Sequence, residues 1–231
     1  MKTVILAGGS GDRFWLLSTA QVPKQFLKLF AEKTLLRQTF ERLSFKVNID
    51  DIYIVTNKIY EQATYSELPE MPKKNILLEP SKKNTAPACT FASLNFPGDE
   101  TIFIVPADHH IPDTEKFWQT VEKTQKFVEN HEGIITFGIS PSRPETGYGY
   151  IEIEKQIEQD VFSVKMFREK PNYETAVEYI NSRKFFWNSG MFMYKNSYFI
   201  NQMKKHAPQV IVPFLQQTDI ESIYQKLPSM L

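Results

Sequence analysis

Five short apolar runs divide the first 140 residues, and they constrain the fold more than any other feature. They are TVILA at 3–7, IYIVT at 52–56, NILLE at 75–79, TIFIVPAD at 101–108 and IITFGI at 134–139. Each suits a strand buried on both faces. Between them Leu35, Leu36, Thr39, Phe40 and Leu43 follow helical spacing, as do Phe117, Trp118, Val121, Phe127 and Val128 across 114–129. ACTFASL, after Pro87, reads as a further helix. This alternation predicts βαβ units and an α/β fold with a twisted, mostly parallel sheet flanked by helices. Such sheets bind ligands beyond the C-terminal ends of their strands, so the loops after the first, third and fourth runs are the places to search.

From about residue 145 the pattern changes. YGYIEIE and VFSVKMFRE alternate and are rich in β-branched and aromatic residues, which predicts a more antiparallel layer. Helical stretches near 173–183 and 196–205 follow, separated by the strand-like GMFMYK. There is no repeat and no Pro/Gly/Ser-rich linker, so residues 1–231 read as one domain.

Charge narrows the partners. Lys plus Arg number 27, as do Asp plus Glu. A neutral chain lacks the basic surface that nucleic acid or an anionic membrane requires, although a local basic pocket remains available to a small anion. The single cysteine, Cys89, sits in an apolar run and reads as a packed thiol. No apolar stretch reaches the ~20 residues of a membrane helix, and the opening MKTVILAGG is too short for a signal-peptide core. The expectation is a soluble, cytoplasmic protein.

The chemistry concentrates in LAGGSGDRFWLLSTAQVPKQF. Gly8, Gly9 and Gly11 directly follow a strand, where glycine permits positive φ and close ligand approach. Consecutive N–H groups in such a loop can cradle phosphate oxygens. The dinucleotide fingerprint fails because Phe14 stands where its third glycine belongs, and the Gly-Lys-Ser/Thr ending of a P-loop is absent. Two cations near the loop, Arg13 and Lys24, suit a triphosphate.

GGSGDRF followed by PK resembles the signature of the sugar-1-phosphate nucleotidyltransferases, also called nucleotide-sugar pyrophosphorylases. KNTAPA, PADH, RPETGYGYIE and WNSGMF resemble its mannose-1-phosphate guanylyltransferase branch. The resemblance spans residues 3–192 and implies a Rossmann-like nucleotidyltransferase fold. It also implies the reaction of GTP with mannose 1-phosphate to give GDP-mannose and diphosphate. The loop residues Leu6, Ala7, Gly8, Gly9, Gly11, Arg13 and Lys24 would then hold nucleotide, with Asn84, Thr85 and Ala86 near base and ribose. Taken alone, Asn84 or Thr85 reads as a helix cap, and both roles are compatible. Asp108 would hold Mg²⁺ or Mn²⁺ and touch the sugar phosphate. Gly147, Tyr148, Glu169, Lys170 and Asn188 would contact the sugar phosphate. Arg13, Lys24 and Asp108 become the catalytic set. His109 and His110 invite a zinc reading, but neighbouring side chains on an extended segment point apart.

Two departures qualify the resemblance. Leu16 stands where the family usually has proline. A second acidic metal ligand, expected downstream in a Trp-x-Asp segment, has no counterpart before the chain stops at LPSML. On this reading the catalytic domain is shortened at its C-terminus and a homodimer contact lies with the absent part. A nucleotide-binding protein without catalysis, or a relative with another base or sugar, are the competing readings.

Overall fold

The computed structural model describes residues 1–9 and 23–228. The chain forms two compact units, Met1–Ile135 with Phe192–Leu231, and Thr136–Met191. Both boundaries fall inside strands, β5 (Ile134–Ile139) and β8 (Phe185–Lys195), which is why no linker composition marks them.

The first unit is built on β1 (Lys2–Leu6), β2 (Ile52–Asn57), β3 (Ile76–Glu79) and β4 (Thr101–Pro106). They pair in parallel in the order β3-β2-β1-β4, with Val4 opposite Tyr53 on one side and Ile104 on the other. Residues Phe192–Lys195 of β8 then add antiparallel to β4. The predicted strands therefore hold, to within a residue or two at their ends.

Strand alternation sends neighbouring side chains to opposite faces. Val4, Val55, Ile102 and Ile104 join a core with α3 (Thr85–Leu94), α6 (Asn196–His206), α7 (Pro208–Gln216) and α8 (Ile220–Lys226). The helices contribute Ala88, Ala92, Phe199, Met203, Val210, Ile211, Ile223 and Tyr224. The other face carries α1 (Leu35–Ser44) and α4 (Thr114–Asn130). There Phe103 meets Phe117 at 6.1 Å, and the Trp118 indole donates to the Arg42 carbonyl at 2.8 Å. Each fully buried aliphatic side chain contributes about 1.5–3 kcal/mol. Truncating Ile102 or Ile104 to alanine would cost about 2–5 kcal/mol. Besides α7 and α8, a short helix α2 (Glu61–Glu67) was not legible in the sequence.

In the second unit, β6 (Tyr150–Glu158) and β7 (Val161–Arg168) form an antiparallel hairpin, and β6 pairs with the start of β8. Asp160 turns the hairpin with φ 64°. Helix α5 (Tyr173–Ser182) packs Ala176 and Tyr179 against Tyr150, Phe185 and Trp187. Glu152 accepts from Lys165 and Arg168, each at 2.7 Å, and ties the two strands together. The FWNSGMF segment, which alone could be a turn, runs straight through as strand, with Gly190 at φ 70°.

Candidate functional site

The parallel strands of the first unit end at Leu6, Asn57, Glu79 and Pro106, so the loops beyond them share one edge. The glycine loop starts there under firm control. The Ala7 N–H donates to the Val55 carbonyl at 2.8 Å, and the Leu6 carbonyl accepts from Ala107 at 3.0 Å. The Ala7 carbonyl accepts from the Gln25 amide at 2.7 Å and from the Thr56 hydroxyl at 3.1 Å. Gln25 and Thr56 are buried and were not singled out from sequence.

The next two glycines have different neighbours. A Cβ on Gly8 would stand 3.0 Å from Oε2 of Glu79, and one on Gly9 would stand 3.6 Å from the Cε of Lys24. Lys24 in turn forms an ion pair with Asp108, 84 positions away, both side chains being partly buried. Two of the three residues expected to be catalytic are thus brought together. The third, Arg13, lies outside the described residues, as do Gly11 and Leu16.

The structure adds an acid that the sequence did not reveal. Glu79 is only 4% exposed at the end of β3. Burial pushes its carboxyl up to about 7, against the opposing effect of a hydrogen bond from Tyr224. That hydroxyl donates to Oε1 at 2.8 Å. The available signal was position, since Glu79 closes NILLE and ligands of open α/β sheets bind beyond the C-terminal ends of the strands.

Asn84 occupies the cap position of α3, but its side chain makes no capping hydrogen bond, which corrects the capping expectation for that residue. Asn84 and Thr85 are exposed at the start of α3, where a helix leaves its first backbone N–H groups without intrahelical partners. His109 lies 4.0 Å from Asp108, and burial holds its imidazole below the ordinary value. His110 instead stacks on Phe30 at 4.4 Å. Among the described residues no group of three or more His, Cys, Asp or Glu is arranged to hold a metal.

Of the sugar-phosphate candidates, Asp108 lies in the first unit, and Gly147, Tyr148, Glu169, Lys170 and Asn188 lie in the second. Register places Tyr150 between Arg168 and Trp187, so the start of β6, the end of β7 and the middle of β8 meet. The Asn188 N–H donates to the Gly149 carbonyl at 2.8 Å. A Cβ on Gly149 would stand 3.5 Å from the Arg168 carbonyl and 3.9 Å from the Asn188 Cβ. Tyr148 meets Trp187 edge-on at 5.3 Å. The Gly147 N–H is held by Glu145 at 2.9 Å, and Arg143 also grips that carboxylate. Glu169 and Lys170 follow β7 directly, both exposed and paired with each other at 3.1 Å. Asn188 is exposed too, its side chain accepting from the Gly190 amide at 3.0 Å.

No helix among the described residues is long and apolar enough to cross a membrane. The family profile described as nucleotidyl transferase matches residues 2–219. The chain is 40% identical over 217 residues to the alginate biosynthesis protein AlgA of Pseudomonas fluorescens, covering 91% of this chain and 44% of that protein. It is 38% identical over 220 residues to the mannose-1-phosphate guanylyltransferase of Escherichia coli K12, covering 90% and 45% respectively. The chain therefore spans less than half the length of these relatives. A Thermus thermophilus structure described as mannose-1-phosphate geranyltransferase superposes with a TM-score of 0.88 at 31% identity, over 99% of this chain and 68% of that one. With its α/β sheet, its glycine loop and this continuous match, the chain belongs to the nucleotidyl transferase family.

Proposed function

We propose that the chain carries the catalytic machinery of a mannose-1-phosphate guanylyltransferase, joining GTP and mannose 1-phosphate into GDP-mannose with release of diphosphate. The observation that carries this reading is the pair of glycine neighbours. Gly8 borders the Glu79 acid, Gly9 borders the Lys24 cation, and Lys24 pairs with Asp108. A nucleotide needs such a division, with a hydrogen-bonding group for the base and fixed positive charge for the phosphates. Glu79 supports guanine in particular. A carboxylate accepts, and guanine offers the adjacent donors N1–H and 2-NH₂, whereas adenine's corresponding edge offers no such pair. The name of the Escherichia coli relative supports both the base and the sugar.

No covalent intermediate is required. A phosphate oxygen of mannose 1-phosphate attacks the α-phosphorus in line, the bond to the leaving diphosphate breaks, and the attacking group is already ionised near neutral pH. Lys24 is assigned to the charge accumulating around the α-phosphate, and Arg13 to the leaving phosphates. Lys170 is assigned to the sugar phosphate, with Glu169, Gly147, Tyr148 and Asn188 on its hydroxyls. Asn84, Thr85 and Ala86 are assigned to base and ribose. Positioning and fixed charge are the tools such a step needs.

The family generally uses a divalent metal. Asp108 is a hard oxygen ligand and fits Mg²⁺ or Mn²⁺, because such ions often take one or two carboxylates and complete their shell from phosphates and water. When bound, the ion would neutralise phosphate charge. Release of pyrophosphate from GTP plus mannose 1-phosphate, with and without Mg²⁺, tests the reading. Release that requires all components is expected. GTP binding without release would leave a nucleotide-binding module, and failure to bind GTP would overturn the reading.

A further inference from the structure

We propose that Tyr224, far along the chain on α8, is a positioning residue for base recognition, holding Glu79 so that one of its oxygens stands ready beside Gly8. This rests on the reading of Glu79 as the acceptor for guanine. Tyr224 is 1% exposed, and its hydroxyl reaches across 145 positions to Oε1. Oε2 is left on the Gly8 side. The ring itself is fixed by edge-on packing against Phe91 at 6.2 Å and Phe214 at 5.9 Å.

Two further contacts tie the same stretch to the loops beyond β2 and β3. The Lys83 ammonium donates to the Leu227 carbonyl at 3.0 Å, and Lys58 pairs with Glu221 at 3.2 Å. The end of α8 is therefore fastened to the segment that runs from Glu79 towards α3. A hydroxyl in an apolar cluster needs some partner, so its bonding alone proves little. What distinguishes this one is the partner, a buried carboxyl at the edge where the nucleotide is placed.

The two roles have different consequences. If Tyr224 only packs, phenylalanine replaces it without changing ligand preference. If it positions Glu79, loss of the hydroxyl removes a hydrogen bond that favours the carboxylate form, and the acid is left more readily protonated. The titratable groups set against Glu79 are Tyr224 from α8 and Cys89 from α3, whose thiol burial keeps protonated. A protonated Glu79 cannot accept both guanine donors.

Calorimetric titration of the whole chain with GTP and with ATP, from about pH 6 to about pH 9, separates the outcomes. The proposal expects Tyr224→Phe to weaken GTP binding about tenfold near neutral pH, to leave ATP binding unchanged, and to close the gap at the alkaline end. Glu79→Gln serves as the second variant, and its GTP affinity is expected to lose the wild-type pH dependence. Equal GTP binding by Tyr224→Phe and wild type at every pH would overturn the proposal. So would a loss shared equally by ATP, or an unchanged pH dependence in Glu79→Gln. A wild-type chain with no preference for GTP over ATP would overturn the guanine reading itself, and this inference with it.

Discussion

At Lys24, charge and position coincide. Its stem passes Gly9 and its ammonium meets Asp108, so removing it deletes positive charge where the proposed function puts the phosphates while the sheet beneath is untouched. Lys24→Ala is expected to lower the rate of pyrophosphate release about 10²–10³-fold, by analogy with the loss of one oxyanion donor. The KM for mannose 1-phosphate should stay near the wild-type value, and steady-state kinetics with varied sugar phosphate checks both. Glu79 gives a different kind of prediction. Its carboxyl titrates near 7 in the fold, above the ordinary value of 4.5. The unfolded chain therefore releases this proton first, and stability falls as pH rises from the ordinary value through about 7. Glu79→Gln should remove a penalty on the order of 3 kcal/mol above that range and none in acid. Denaturant melts of the ligand-free chain, one below pH 4.5 and one above about pH 7, measure it. Motif residues such as Lys24, Asp108 and Asn188 were legible because they sit in recognisable strings. Glu79 closes the NILLE string, but no string shows its burial or its bond to a tyrosine 145 positions away.

Among the elements, the β6–β7 hairpin carries one acid, Glu152, that bonds across its ladder. Lys165 chiefly, and Arg168 after it, hold the Glu152 carboxyl below its ordinary value. The stabilisation is therefore present above the ordinary carboxylate range and lost as pH falls through the lowered value. Amide exchange along Tyr150–Glu158 and Val161–Arg168 should quicken in acid, and Glu152→Gln should show the quicker exchange at neutral pH as well. The sequence disclosed this hairpin through its period of two, and the parallel strands through their uninterrupted apolar runs. It hid α7 and α8 because α7 carries Pro213 in its interior and α8 spans only seven residues. Short helices draw their stability from packing, here on Ala88, Phe91 and Tyr194, and packing leaves little periodic trace.

For the whole molecule, the proposed roles put the nucleotide residues in the first unit and most of the sugar-side residues in the second. GTP is expected to protect amides at 7–9 and 79–86, and mannose 1-phosphate those at 147–149 and 186–190, in hydrogen exchange with each ligand alone. Protection by GTP confined to the second unit would contradict the assignment. A ligand at 100 times its Kd stabilises what it binds by about 2.7 kcal/mol, enough to make the protected unit identifiable. The closeness of Gly8 to Glu79 also bears on how such chains can diverge. A methyl at position 8 would stand 3.0 Å from Oε2 of a carboxyl whose other oxygen, Oε1, is held by Tyr224, so the carboxyl is not free to step aside. Positions 8, 79 and 224 are therefore expected to change together. A lineage that gains a side chain at 8 is expected to shorten or lose the acid at 79 in the same stretch of descent, and with it the reason to keep a hydroxyl at 224.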